Sequence, residues 1–208
     1  MRCTNTFEQS VWRQGFTLIA GLDEAGRGSL FGPVYAAAVI LDPRRPVRGL
    51  ADSKVLAPER RAELAVAIKK TAVAWAVGAA DAAEIDRINI YHASRLAMQR
   101  AVAALRPAPD FLLIDALTID WPGPQRGIVN GDARVRSIAA ASILAKTSRD
   151  ACMDEWDRQC PGYGLARHKG YSTPQHLAAL LRLGPTAEHR RSFAPVVQAL
   201  QALLQAAL

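Results

Sequence analysis

The sequence predicts an α/β protein built as one sheet with helices packed on it. Three observations carry this. Short apolar runs of strand length come early in the chain. They then alternate with segments of helical period. The C-terminal third holds helix patterns and no further strand pattern.

Taken in order, Thr17 to Leu22 is a short apolar run ending in a Gly-rich turn, and reads as the first strand. Val34 to Leu41 (VYAAAVIL) reads as a second, buried strand. Asp42 to Lys54 is a loop rich in Pro, Arg and Gly. Pro58 to Lys70 reads as a helix with Pro in its first turn. Val73 to Ala79 is a third strand. Asp81 to Arg87 is a short helix with an acidic start, and Ile90 to Leu105 is a helix by period, stopped by Pro107 and Pro109. Phe111 to Ile114 is a short buried strand ending at Asp115, and Ile128 with Val129 a shorter one ending near Asp132. Ser137 to about Asp157 is a long Ala-rich helix. Pro161 to Tyr171 is a Gly-rich, basic loop, and Thr173 to Arg182 and Ala194 to Ala207 are the last helices.

The 208 residues fit one domain of ordinary size, and half of them are hydrophobic, enough for a sizeable core. Lys and Arg number 26 against 19 acids, for a net charge of +7. A basic surplus of that kind suits a polyanionic partner. Cys3, Cys152 and Cys160 are odd in number and form no CxxC pair, so reduced thiols are expected. His92, His168, His176 and His189 lack zinc-ligand spacing. The N-terminal stretch has no apolar core of the signal-peptide kind, and no run reaches the roughly 18 apolar residues of a membrane helix. A soluble, cytoplasmic protein without membrane contact is expected.

Acidic residues sit where strands end: Asp23 and Glu24 after the first, Asp115 after FLLI, Asp132 after IVNG. Open α/β sheets bind ligands at the carboxyl ends of their strands. Successive side chains of a strand face opposite ways, so Asp23 and Glu24 are expected to share a site only if Glu24 already belongs to the turn, which AGRG permits. Four carboxylates suit hard cations such as Mg²⁺ or Mn²⁺, and two such ions are the usual apparatus for displacement at a phosphodiester. Any one of these acids alone also fits a turn former or helix cap.

Gly26-Arg27-Gly28 matches no generic nucleotide-binding loop. Its two glycines leave backbone N–H and C=O groups open to close approach, groups that can hydrogen-bond a 2′-hydroxyl, and Arg27 could reach a phosphate. ARHKGYST, residues 166 to 173, places Arg167, His168 and Lys169 beside Tyr171, bases for phosphates next to an aromatic that can stack. As a bare pattern it also fits a solvated surface loop. Ser53 and Lys54 offer a hydroxyl and an ammonium in a loop. Ser137, Ser142 and Lys146 lie on a helix whose alanines equally suit close helix–sheet packing.

In this order the segments resemble the type 2 ribonuclease H family, specifically its bacterial HII branch. The matching runs are GLDEAGRG at 21–28, VYAAAVIL at 34–41, ADSK at 51–54, EIDRINI at 84–90, LLID at 112–115, GDARVRSIAAASILAKTSRD at 131–150, PGYGLARHKGYST at 161–173 and HRRSFAP at 189–195. The resemblance implies a ribonuclease H-like fold: a mixed five-stranded sheet flanked by helices, with a helical C-terminal part. It implies a single domain over 1–208, with a catalytic core at about 18–160 and the C-terminal loop and helices after it. It assigns metal binding and catalysis to Asp23, Glu24, Asp115 and Asp132, with a two-metal site of Mn²⁺ or Mg²⁺. It assigns substrate binding to Gly26, Arg27, Gly28, Ser53, Lys54, Lys146, Lys169 and Tyr171. The implied substrates are RNA–DNA hybrids and single ribonucleotides within duplex DNA, cut on the 5′ side of the ribonucleotide to leave 3′-hydroxyl and 5′-phosphate ends. A monomer is expected.

The chain departs from the family pattern at Ser29-Leu30-Phe31, where Pro-Leu-Ala is usual, and at Ala116-Leu117, where Gly-Asn is usual. The related HIII enzymes carry a substantial N-terminal binding domain, whereas about 20 residues here precede the first strand. Two other classes stay open. One is another nuclease of this fold, such as a junction resolvase, which needs no 2′-hydroxyl reader. The other is a non-catalytic nucleic-acid binder, which gains nothing from clustered acids.

Overall fold

The computed structural model describes residues 3–206. Five strands form one mixed sheet in the order β3-β2-β1-β4-β5. They are β1 (Ile19–Ala25), β2 (Val34–Ile40), β3 (Ala74–Ala80), β4 (Phe111–Asp115) and β5 (Gln125–Ile128). β2 runs antiparallel to both β1 and β3, whereas β4 runs parallel to β1 and to β5. The expected fold class is therefore the observed one.

The helices are α1 (Thr6–Trp12), α2 (Pro58–Thr71), α3 (Ala82–Ala104), α4 (Arg136–Gln159), α5 (Leu165–His168), α6 (Pro174–Leu183) and α7 (Ala194–Ala206), with a 3₁₀ turn at Gly131–Ala133. The expected end of the last helix, Ala207, lies outside the described residues. No helix among the described residues is long and apolar enough to cross a membrane.

Alternation along the strands assigns the faces. Ala20 and Leu22 of β1, with Ala36, Ala38 and Ile40 of β2, pack under the stripe Ala93, Ala97, Met98 and Ala101 of α3. Ala37 and Val39 face the other way, toward Leu64 and Ile68 of α2 and Ala139 to Leu144 of α4. Each Leu or Ile fully buried this way contributes roughly 1.5–3 kcal/mol. The small residues of α4 let it lie close on β1. A Cβ on Gly21 would stand 2.1 Å from the carbonyl carbon of Ser137, so only glycine fits there.

Several boundaries differ from expectation for physical reasons. The two helices expected at 81–87 and 90–105 run together as α3, but Asn89 breaks the helical path with φ 62° and ψ 166°. Asp81 and Glu84 make a reciprocal capping box at the start, and the Asn89 carboxamide oxygen accepts the N–H groups of Tyr91 and His92, capping the second stretch. β5 starts earlier than Ile128 and excludes the exposed Val129. The loop at 161–171 contains the short helix α5.

α1 was not expected, and it has a task. Val135, at the N-cap of α4, has no side-chain oxygen to offer. The buried Glu8 of α1 supplies it from 129 residues away, its Oε1 accepting the Ser137 N–H and Oγ–H at 2.9 Å each. Such caps contribute about 1 kcal/mol. Thr4 pairs beside Val135 and the Cys3 thiol donates to the Asp132 carbonyl, so the N-terminal segment braces the turn that carries Asp132.

Candidate active site

β1 and β4 are parallel neighbours, and Leu22 stands opposite Ile114. One step on, Asp23 and Asp115 come abreast on the α4 face, at the carboxyl ends of adjacent strands. Asp132 reaches the same edge from the 3₁₀ turn that precedes α4. Glu24 does not belong to the turn as expected: β1 continues to Ala25, and Glu24 pairs with Ala36. Its side chain therefore leaves the opposite face of β1, yet it still feels the Asp115 charge at the sheet edge.

The cluster is electrostatically strained. Burial, then the charges of Glu24 and Asp115, push the Asp23 carboxyl well above its usual range, and a Ser142 hydrogen bond offsets only part of this. Burial also raises Glu24 against the pull of Arg27, which donates to Glu24 Oε1 at 3.2 Å. Asp115 is raised by burial, although its Oδ1 accepts the Gly131 N–H at 2.6 Å. Glu24 Oε2 is buried with no hydrogen-bond partner among the described residues. Among those residues no group of three or more Asp, Glu, His or Cys side chains closes into a metal cage as it stands. The donors are all oxygen, in excess of positive charge and partly unsatisfied, which is the chemistry hard divalent cations take.

Lys54 belongs to this edge. Its Nζ lies 3.1 Å from Asp132 Oδ2 and 3.9 Å from Asp52 Oδ1. Partial burial lowers its ammonium, but the Asp132, Asp52 and Asp23 charges outweigh that and hold it above its usual value. Ser53 is buried and turned inward, its Oγ 2.9 Å from Ser142 Oγ. Ser142 thus joins Ser53 to Asp23. Lys146, one turn further along α4, is held by Asp150 at 2.5 Å, and Arg61 holds the other oxygen of that carboxylate. Lys169 is paired with Asp154. Lys146 and Lys169 therefore each have an acid of their own.

The two glycines after Glu24 have different reasons to be glycine. Gly26 has φ +96°, and a Cβ there would stand 1.9 Å from Arg149 Nε. Gly28 is exposed, and a Cβ on it would meet only the Tyr171 ring at 4.0 Å. Gly26→Ala should therefore lower stability by about 2 kcal/mol or more through strain and collision. An unchanged denaturation midpoint would contradict this reading. Tyr171 is 38% exposed, and the guanidinium of Arg149 lies 5.5 Å from its ring centre.

Two buried arginines tie these segments together, and their roles were not legible beforehand. Arg149 donates to the carbonyls of Pro33, Phe31 and Lys169 and to Ser29 Oγ. Arg190 donates to the carbonyls of Gly32 and Arg27. Burial, then the neighbouring Arg149 charge, bring Arg190 down to about 9. One of the two departures from the family pattern sits in this clamp: Ser29 accepts from Arg149 at 2.7 Å, and Phe31 packs edge-on against His189 and Trp156.

Solved structures share the fold. The ribonuclease H2 of Pyrococcus horikoshii OT3 matches with a TM-score of 0.78 at 22% identity, covering 91% of this chain and all of that one. Bst-RNase HIII in complex with Mn²⁺ matches with a TM-score of 0.68 at 23% identity, covering 88% of this chain and 69% of that one. The architecture is the α/β fold of those ribonuclease H structures. The family model described as ribonuclease HII matches residues 20–196. The ribonuclease HII of Solibacter usitatus is 57% identical over 195 residues, covering 94% of this chain and 86% of that protein. This chain belongs to the ribonuclease HII family, and it is a ribonuclease H hydrolase, an endoribonuclease.

Proposed function

We propose that this enzyme cuts the RNA strand of RNA–DNA hybrids and the 5′ side of single ribonucleotides embedded in duplex DNA, leaving 3′-hydroxyl and 5′-phosphate ends. The observation that supports it best is the convergence of Asp23, Asp115 and Asp132 on one sheet edge with Glu24 beside them. These four residues would hold two divalent cations, Mn²⁺ or Mg²⁺. When bound, such ions supply Lewis-acid activation of the attacking water and stabilise the departing 3′ oxygen.

The chain's own residues do the rest. Lys54, charged and largely exposed at the same edge, binds the phosphate on which the acids act. Arg27, part exposed, reaches the neighbouring backbone. Gly28 and Tyr171, close beside one another, line one wall of a slot for the ribose, with the Arg27–Gly28 peptide groups available to its 2′-hydroxyl. Gly26 shapes that turn. Ser53 acts by orienting Ser142 toward Asp23, whereas Lys146 and Lys169, paired with Asp150 and Asp154, reach the duplex backbone only by exchanging those carboxylates for phosphate. The enzyme works as a cytoplasmic monomer with one domain, about 18–160 forming the catalytic core and about 161–208 the part that carries Tyr171. The Gly28–Tyr171 slot favours this reading over a junction resolvase, which has no ribose to recognise.

The test is a labelled RNA–DNA hybrid incubated with Mg²⁺ or Mn²⁺ and with excess chelator, product ends being mapped. Cleavage confined to the RNA strand, abolished by chelator and leaving 5′-phosphates, is expected. Undiminished cleavage in chelator, or 2′,3′-cyclic ends, would overturn the proposal.

A further inference from the structure

The C-terminal part contains a line of buried imidazoles that the cleavage chemistry does not use. His176 and His189 are both fully buried, with their Nε2 atoms 3.3 Å apart. The backbone N–H of Thr186 donates to His189 Nδ1 at 3.0 Å. That nitrogen must carry a lone pair, so neutral His189 holds its proton on Nε2. His189 Nε2–H then donates to His176 Nε2, which leaves the His176 proton on Nδ1. His176 Nδ1 lies 3.0 Å from the Tyr171 carbonyl and donates to it. One backbone amide at Thr186 thereby sets both tautomers and ends on Tyr171.

We infer that His189 and His176 are positioning residues for ribonucleotide recognition, acting through the Tyr171 carbonyl to hold the ring opposite Gly28. The inference rests on the reading of Tyr171 as a ribose-facing group. The Tyr171 carbonyl accepts a second N–H, from Thr173 at 2.8 Å, and its own N–H donates to the His168 carbonyl at 3.0 Å. Tyr171 is also bridged to Ser29 on the loop that follows Gly28. The peptide is fixed on every side while the ring stays open, which is how a recognition group is preorganised.

The relay works only with neutral imidazoles, and its surroundings enforce that. His168 stacks on His176 at 4.5 Å, its own nitrogens engaged by Gly170 N–H and the Tyr163 carbonyl. The Tyr163 ring lies 5.1 Å from His189. Among the described residues neither buried imidazole hydrogen-bonds a carboxylate. Burial, then the neighbouring His176, lowers His189 to about 3, and burial, offset in part by the Tyr171 hydrogen bond, lowers His176.

The test combines tautomer measurement with a mutant cycle. ¹⁵N shifts of the unmutated protein at neutral pH should show His176 protonated on Nδ1 and His189 on Nε2; the reverse pattern overturns the relay without any variant. On a duplex with one ribonucleotide, His176→Ala should lower kcat/KM about tenfold, the scale of one lost buried hydrogen bond. His176→Asn, whose amide nitrogen sits near the position of Nδ1, should restore most of that. In the Tyr171→Ala background, His176→Ala should cost nothing further. Fully additive losses, or no rescue by Asn, overturn the relay alone. An unmutated rate for Tyr171→Ala, with the tautomers as described, overturns the reading of Tyr171 itself.

Discussion

Asp23→Asn and Asp115→Asn should each remove nearly all cleavage while leaving the fold more stable. Each substitution deletes a negative charge from a buried group of like charges, and Asn keeps an oxygen in place. The Asp23 oxygen that accepts the Glu24 N–H and the Asp115 oxygen that accepts the Gly131 N–H both have a carboxamide equivalent. Losing a ligand to the cations forfeits several kcal/mol of transition-state stabilisation, on the order of a thousandfold in rate. Relief of the repulsion should add about 1 kcal/mol to stability, or roughly 2–4 °C in Tm for a chain of this length. Activity and melting temperature measured on the same samples decide the matter. A fall in both together would mean that these acids hold the fold rather than serve the reaction.

Tyr171→Ala and Gly28→Val should impair cleavage at a lone ribonucleotide by roughly tenfold to a hundredfold, the cost of one buried polar contact. Neither should weaken binding to ordinary duplex DNA to the same extent. Gly28→Val is the better probe of the two glycines, because a Cβ there would meet only the Tyr171 ring, at 4.0 Å. A melting temperature equal to that of the unmutated protein then assigns any loss to the slot and not to a damaged fold. Gly26 cannot serve that purpose, since its substitution strains the turn against Arg149. Equal losses in cleavage and in duplex DNA affinity would show that the slot grips nucleic acid without reading the sugar.

Much of this was legible in the sequence because strands announce themselves locally. TLIAGL and FLLI are apolar over a strand's length, and Asp23 with Glu24 and Asp115 follow directly at their ends. Glu24 was misplaced because the Gly-rich turn suggests an early stop, whereas pairing with β2 carries β1 on to Ala25. Glu8, Ser142, Arg149 and Arg190 gave no local signal. Their partners lie 116 to 163 residues away in the case of Glu8, the Arg149 contacts with the Ser29–Pro33 loop, and Arg190. An arginine among polar neighbours, as Arg149 is between Ser148 and Asp150 and Arg190 between His189 and Arg191, looks like a surface position until the carbonyls that it serves are brought to it. Lys169 reads as a phosphate contact and Lys146 as a substrate-binding group, because their partners Asp150 and Asp154 are ordinary exposed-looking helix acids in the sequence. Of the four histidines discounted for lack of metal spacing, His176 and His189 form a hydrogen-bonded pair that spacing alone does not encode.

The most direct measurement uses two duplexes that differ by a single oxygen atom: one all DNA, the other with one ribonucleotide in the labelled strand. With Mn²⁺ or Mg²⁺ present, the enzyme should cut only the second, once, on the 5′ side of the ribonucleotide, and leave a 3′-hydroxyl and a 5′-phosphate. Cutting both duplexes alike, or leaving the ribonucleotide-containing strand intact while degrading a long hybrid, would contradict recognition of the lone ribose by the slot that Gly28 and Tyr171 line.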